Sequence, residues 1–255
     1  MWIGGGVLAL AAVLILAGRW MTSNALHLAI FGGFPVLMLV LAGRLEIQGI
    51  TWFKIFSLCA GILIIHFAPL VRSPWRMYAG MAVYVVLLLN IGGPAVHDAV
   101  SGRWFGAAAA GAICLLTPRW KAISYPVVNG RGVLAYDIPW LWIGAYTFWN
   151  ASFVSTAYPA HASDHIAVLT APLVLALWPR NRGAWLLYRA RTISLYGVMV
   201  VAANDVAKMD WIPAIQGTEK LHGPLVAAAW LLIACDILVR FRTRAPRAVA
   251  VRAAG

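Results

Sequence analysis

The chain has 255 residues, of which 62% are hydrophobic and only 11% charged, with a formal net charge of +12 and a mean hydropathy of +0.81. A soluble domain keeps about a quarter of its residues charged, so this composition cannot cover a water-facing surface, and an ordinary soluble enzyme is excluded. The basic residues lie between long apolar runs and in the C-terminal tail, so they read as topology signals and anionic-headgroup contacts, not as a nucleic-acid interface.

In lipid every backbone polar group needs an internal partner, which leaves helices or a closed barrel. The apolar runs are continuous and not alternating, which predicts an all-α, polytopic transmembrane bundle. Nine spans are expected, over 2–18, 25–42, 49–71, 77–97, 103–117, 138–157, 165–178, 184–203 and 223–239. The first has no basic segment ahead of it and reads as a retained helix. The fifth and seventh fall short of the ~20 residues that cross a bilayer.

Charge tests the count. The first, third, fifth and seventh connections and the tail are assigned 15 of the 20 Lys and Arg residues, including Arg72, Arg76, Arg119, Lys121, Arg180, Arg182, Arg189 and Arg191, while Arg44, Lys54, Arg103, Lys208 and Lys220 fall to the even-numbered connections. That asymmetry predicts an outer N-terminus and a cytoplasmic C-terminus in a bacterial cell membrane. Residues 1–239 are expected to form one transmembrane domain and 240–255 a basic, unstructured tail. Cys59, Cys114 and Cys235 lie in apolar runs without a CxxC pattern and read as small buried hydrophobes.

The polar groups sort by this topology. His97-Asp98 ends the fourth span. His161, Asp164 and His165 fill the sixth connection, expected as a loop with a helix cap. Asn204, Asp205, Lys208 and Asp210 open the eighth. No spacing matches a zinc motif such as HExxH, and no cofactor motif is found. Asp137, two residues before Pro139, reads first as the acid of a helix start, a role compatible with an acid at the mouth of an aromatic cavity. Within the sixth span Trp142, Tyr146, Trp149 and Phe153 share one helical face; Trp140 and Trp142 also suit an interfacial belt, and Asn150 is expected to bond to another helix. Asp236 is expected to pair with Arg240 one turn on, and His66 to be a hydrogen-bonded core histidine.

Several segments carry a resemblance: Trp52-Phe53-Lys54, Asp137 through Trp142, Ala145-Tyr146 with Trp149-Asn150, the loop 159–161, and Arg182-Gly183-Ala184-Trp185 with Arg189-Ala190. Together they resemble an uncharacterised family of polytopic bacterial membrane proteins, a domain of unknown function, over about half of the chain. Thr147 and Ala160 stand where that resemblance leads one to expect acids. The aromatic, all-helical build also has a looser likeness to small membrane-bound terpene cyclases.

The function expected from these residues is an integral membrane enzyme acting on a lipophilic, isoprenoid-type substrate. A carboxylic acid kept protonated by poor solvation would start the cyclisation, and aromatic faces would hold the resulting cation. The candidate acids are Asp98, Asp137, Asp164 and Asp205. The candidate substrate-binding residues are Trp140, Trp142, Tyr146, Trp149, Asn150 and His161. The expected partners are that substrate and membrane lipids. A proton-coupled transporter or channel, marked by buried ionisable groups, and a non-catalytic subunit of a membrane complex are the alternatives. The enzyme should show an aromatic pocket ending on an acid, and the carrier a polar path reaching towards both sides.

Overall fold

A computed structural model describes residues 3–20, 23–40, 49–128, 131–158, 162–178, 180–202 and 219–244. Among these residues nine helices form, one over each apolar run. They are α1 (Ile3–Trp20), α2 (Asn24–Val40), α3 (Gly49–Phe67), α4 (Ser73–Val100), α5 (Trp104–Leu116), α6 (Trp140–Ala157), α7 (Ala162–Leu177), α8 (Trp185–Val200) and α9 (His222–Arg244). Local chemistry sets the ends. The Ser23 hydroxyl accepts from the Leu26 amide and caps α2. Pro74 occupies the first turn of α4, where an N–H is not needed. Gly102, at φ +75°, turns the chain from α4 into α5.

Each helix from α3 to α8 packs on the next, and α8 returns to pack on α3, so these six close a ring. Outside it, α1 lies on α7 and α8, α2 on α3, and α9 most extensively on α6 and also on α5. The largest core joins Val83, Leu87 and Ile91 of α4, Ala109, Ala110 and Ile113 of α5, the α6 aromatics and Trp185.

The connections separate into two ends. At one end the α1–α2 turn meets the end of α3, with His66 Nε2 donating to Asn24 Oδ1 at 2.8 Å. The α5–α6 connection reaches the start of α4 there (Tyr125 hydroxyl to the Arg76 carbonyl, 3.2 Å) and the α7–α8 turn (Arg182 Nε to Asp137 Oδ1, 2.7 Å). At the other end the His97 ring meets Phe153 edge-on at 5.5 Å, and Ser152 meets His222 at the start of α9.

Two helices, Pro74–Val100 and His222–Thr243, are long and apolar enough to cross a membrane, and only 22% of each such window is buried. The core helix of a soluble protein would be mostly buried. Here Val85, Leu89, Val96 and Val100 on α4 and Leu231, Leu238 and Phe241 on α9 are exposed, as are Phe105 and Leu115 on α5. So much outward apolar surface is what a lipid-facing or partner-covered wall requires.

Three expectations need correction. Arg189 and Arg191 lie inside α8, buried to 6% and 7% exposure, and Lys54 lies inside α3, so these three are not connection charges. The last helix runs to Arg244, five residues into the segment expected as an unstructured tail. The α5–α6 connection holds a small antiparallel β-hairpin: β1 (Ile123–Ser124) pairs with β4 (Ala135–Tyr136), and β2 (Val127–Val128) with β3 (Arg131–Gly132). The Asn129-Gly130 dipeptide between β2 and β3 is the sequence signal for such a turn. Tyr136 and Leu134 drop from the hairpin into the core, and burial raises the Tyr136 phenol above its usual range while its hydroxyl bonds to the Pro118 carbonyl.

Candidate functional site

The α6 aromatics stack down one face of the helix because their four-, three- and four-residue steps keep them there. Trp142 lies flat on Tyr146 (5.4 Å between centroids, 6° between planes); Tyr146 leans on Trp149 at 6.0 Å, and Trp149 stacks on Phe153 at 6.4 Å. Trp185 of α8 meets both Trp142 and Tyr146 edge-on. The column continues beyond α6: Phe153 touches Tyr158, Tyr158 lies parallel to His165 at 5.6 Å, and His165 meets Tyr196 edge-on at 5.3 Å.

These rings cover one another. Trp149 is 0% exposed, Trp142 1% and Tyr146 4%, so in this structure they form packed core and no open cavity wall. Trp142 is fixed further by its indole N–H, which donates to the Ile113 carbonyl at 2.9 Å. That carbonyl belongs to the last turn of α5, where intrahelical donors run out, and Thr117 Oγ1 donates to it as well at 2.8 Å. Trp140 is only half-buried against the same core. Asn150 bonds within its own helix, Nδ2 to the Tyr146 hydroxyl at 3.0 Å, and not to another helix as expected.

The candidate acids fall in different places. Asp137 is exposed, at the hairpin end, and ion-paired to Arg182, and Pro139 takes the cap position of α6. Such a water-facing pair makes Asp137 neither a helix cap nor a poorly solvated acid. Asp98 is 1% exposed in the last turn of α4, with Oδ1 held at 2.8 Å by Arg103 Nε. Arg103 Nη2 also donates to His97 Nδ1 at 3.0 Å, which puts the His97 proton on Nε2. Asp164 is 2% exposed and accepts from the Tyr196 hydroxyl at 3.1 Å. It sits in the first turn of α7, which begins at Ala162, so Asp164 and His165 are helical and not part of a loop. Asp205 and His161 lie outside the described residues.

Composition and spacing left unread the buried polar side chains of α8. Arg189, Arg191, Thr192, Ser194 and Tyr196 are all buried on this one helix. Arg189 Nη1 donates to the Val168 carbonyl of α7 at 3.1 Å and Ser194 Oγ to the Leu58 carbonyl of α3 at 3.1 Å. At the hairpin end stands a stacked pair of imidazoles, His27 on His66, 3.6 Å apart and 8° from parallel. His27 is 0% exposed, and its Nδ1 faces the Ser23 carbonyl at 2.9 Å. Arg191 acts electrostatically on both rings. At the far end Tyr196 reaches Asp164 from the side of α8 that carries Arg189 and Thr192, opposite Arg191 and Ser194. Tyr196 stands five residues beyond Arg191, about 7.5 Å at helical rise. The signal in the sequence was the string Arg189, Arg191, Thr192, Ser194, Tyr196 inside a run hydrophobic enough to be read as a span.

His66 is hydrogen-bonded, as expected, to Asn24, and Asp236 lies 2.8 Å from Arg240, as the one-turn spacing predicts. Among the described residues, no three His, Cys, Asp or Glu side chains gather closely enough to hold a metal ion.

No match is found among curated proteins or among solved structures, and the looser likeness to terpene cyclases has no counterpart in the comparisons. The profile of DUF5692, a family of unknown function, matches residues 98–241. The match runs from Asp98 through α5, the hairpin and α6–α8 into α9. Over that majority of its length the chain is a member of the DUF5692 family.

Proposed function

We propose that this protein is a multi-pass membrane carrier whose transport is linked to protonation of Asp164. The carrying observation is the set of polar side chains buried on α8: Arg189 and Tyr196 bond to α7, Tyr196 to its Asp164, and Ser194 on the opposite side bonds to α3. Ionisable groups inside apolar helices are costly and line ion or proton paths where they occur. A helix that buries two arginines and a tyrosine beside apolar neighbours bears that cost along the bundle. A carrier needs polar groups inside the bundle, whereas an enzyme of the expected kind needs an open aromatic pocket, and the α6 rings are closed.

In this reading all nine helices cross a bacterial cell membrane, with the N-terminus outside. Support comes from the gathering of the odd-numbered connections, with Arg72, Arg76, Arg119, Lys121, Arg180 and Arg182, at the end towards which α9 carries Arg240, Arg242 and Arg244. The test is proton flux in liposomes loaded with a pH-sensitive dye, with the membrane potential clamped and a panel of small organic ions added outside. Solute-dependent flux is expected for the native chain and for Asp137→Asn, and its loss for Asp164→Asn. Flux no greater than in protein-free liposomes, or full flux in Asp164→Asn, overturns the proposal.

A second reading rests on the aromatic column ending on the same buried acid. Asp164 would then be the proton donor of an isoprenoid-cyclising enzyme. Mass spectrometry of lipid extracts from an expression host fed isoprenoid precursors separates the two: a new cyclised lipid that vanishes in Asp164→Asn supports the enzyme.

A further inference from the structure

The α4–α5 turn and the start of α9 bring together a second group of side chains, separate from the polar side chains of α8. Ser152, 1% exposed on α6, has its Oγ 2.7 Å from His222 Nδ1 at the first residue of α9. The same hydroxyl lies 3.3 Å from the His222 carbonyl. Next to them is the Asp98 carboxylate. One of its oxygens takes the Arg103 bond; the other, Oδ2, is buried without a hydrogen-bond partner. Asp98 Oδ2 and His222 Cε1 close on one point over α5: a Cβ placed on Gly106 would stand 2.7 Å from the first and 3.7 Å from the second. A hydroxyl within hydrogen-bond reach of an imidazole is the pairing that activates a serine nucleophile, and the Asp98 carboxylate lies near that imidazole without a hydrogen bond to it.

We infer that Ser152 and His222 form a nucleophile–base pair that takes an acyl group from a lipid-soluble ester. Ser152 Oγ attacks the ester carbonyl carbon, and its proton passes to His222 Nδ1. The bond from that carbon to the alcohol oxygen breaks, and the alcohol leaves with the proton returned by His222. Water then attacks the Ser152 ester along the same proton route and releases the carboxylic acid. The negative charge of Asp98 stabilises the imidazolium that forms in each half-reaction. The lipid-soluble class follows from the surroundings: Phe153 borders Ser152 in the chain, and exposed Trp104 and Phe105 flank the turn that carries Arg103.

The test uses the full chain in detergent micelles, a fluorophosphonate probe read by intact mass, and a long-chain 4-nitrophenyl ester as substrate. One label per chain is expected, with loss in Ser152→Ala and retention in Ser155→Ala, whose hydroxyl donates to the Ser152 carbonyl. In His222→Asn the labelling rate and the ester hydrolysis should fall at least tenfold, whereas a merely structural tie would leave both unchanged. Thermal unfolding of each variant confirms that it is folded. Absence of labelling in the folded native chain, persistence in Ser152→Ala, or an unchanged rate in His222→Asn overturns the inference. Asp164→Asn should label like the native chain, so failure here and failure of the carrier reading are distinguishable.

Discussion

Replacing Arg103 with methionine tests how Asp98 is held. The native pair joins a carboxylate at 1% exposure to a guanidinium at 23%, with Nε–Oδ1 at 2.8 Å and a second bond from Nη2 to His97. Asp98 Oδ2 already lacks a hydrogen-bond partner. Arg103→Met would therefore leave a buried carboxylate with no cation at all. Removing one partner of a buried pair costs about 3–5 kcal/mol; the partly exposed Arg103 site admits some water, which puts the expectation at about 3. For a chain of this size that lowers the melting temperature by roughly 6–12 °C. Asp98→Asn alone keeps an acceptor for Arg103 and should cost only about 1 kcal/mol. Adding Asp98→Asn to Arg103→Met should then raise stability, because the stranded charge is gone. Unfolding can be followed in detergent with a thiol-reactive fluorophore, since Cys59 is buried and Cys114 and Cys235 are half-buried. If the double variant melts no higher than Arg103→Met, Asp98 is not a charge held in place by Arg103.

Other sites give separate checks. Gly132→Ala places a Cβ 2.8 Å from Pro69 Cβ, a rigid neighbour; it should destabilise by about 1–3 kcal/mol and speed tryptic cleavage after Arg131. Trp142→Phe removes the bond to the Ile113 carbonyl but leaves Thr117 on it, so the loss should be about 2–3 kcal/mol, mostly from the void under Tyr146. Tyr196→Phe deletes a buried hydrogen bond to Asp164 and should cost about 1–2 kcal/mol in the same melting assay. Asp137→Asn, at an exposed pair, should change stability by less than about 1 kcal/mol.

Helix positions were legible because each continuous apolar run, without the alternation of a strand, satisfies its backbone within a helix. The Asp236–Arg240 pair and the bonded His66 were legible because one-turn spacing and a polar atom in an apolar run each have few outcomes. Asp164 could be named as a candidate but not distinguished from Asp98 or Asp137. What separates them is the neighbour each meets: Tyr196, Arg103 and Arg182 stand 32, 5 and 45 residues away. Only the nearest of these could be guessed from spacing, and Arg103 had been assigned to topology. The α6 aromatics illustrate the opposite limit. Their shared face was readable, but whether rings line a cavity or fill a core depends on Trp185 and on α5, which sequence spacing does not place. The Ser152–His222 contact joins residues 70 apart and had no local signal at all.

The ring of six helices constrains how the protein can be assembled on the ribosome. Its closing contact sets α8 against α3, with Ser194 bonded to Leu58 across 136 positions. The enclosure therefore cannot be completed until most of the polypeptide has been synthesised. Helix α1 packs most extensively on α7 and α8, so its main contacts form only after five further helices have been made. The buried arginines of α8 follow α3 and α7 in the chain, so both of the helices that α8 bonds to are synthesised before them.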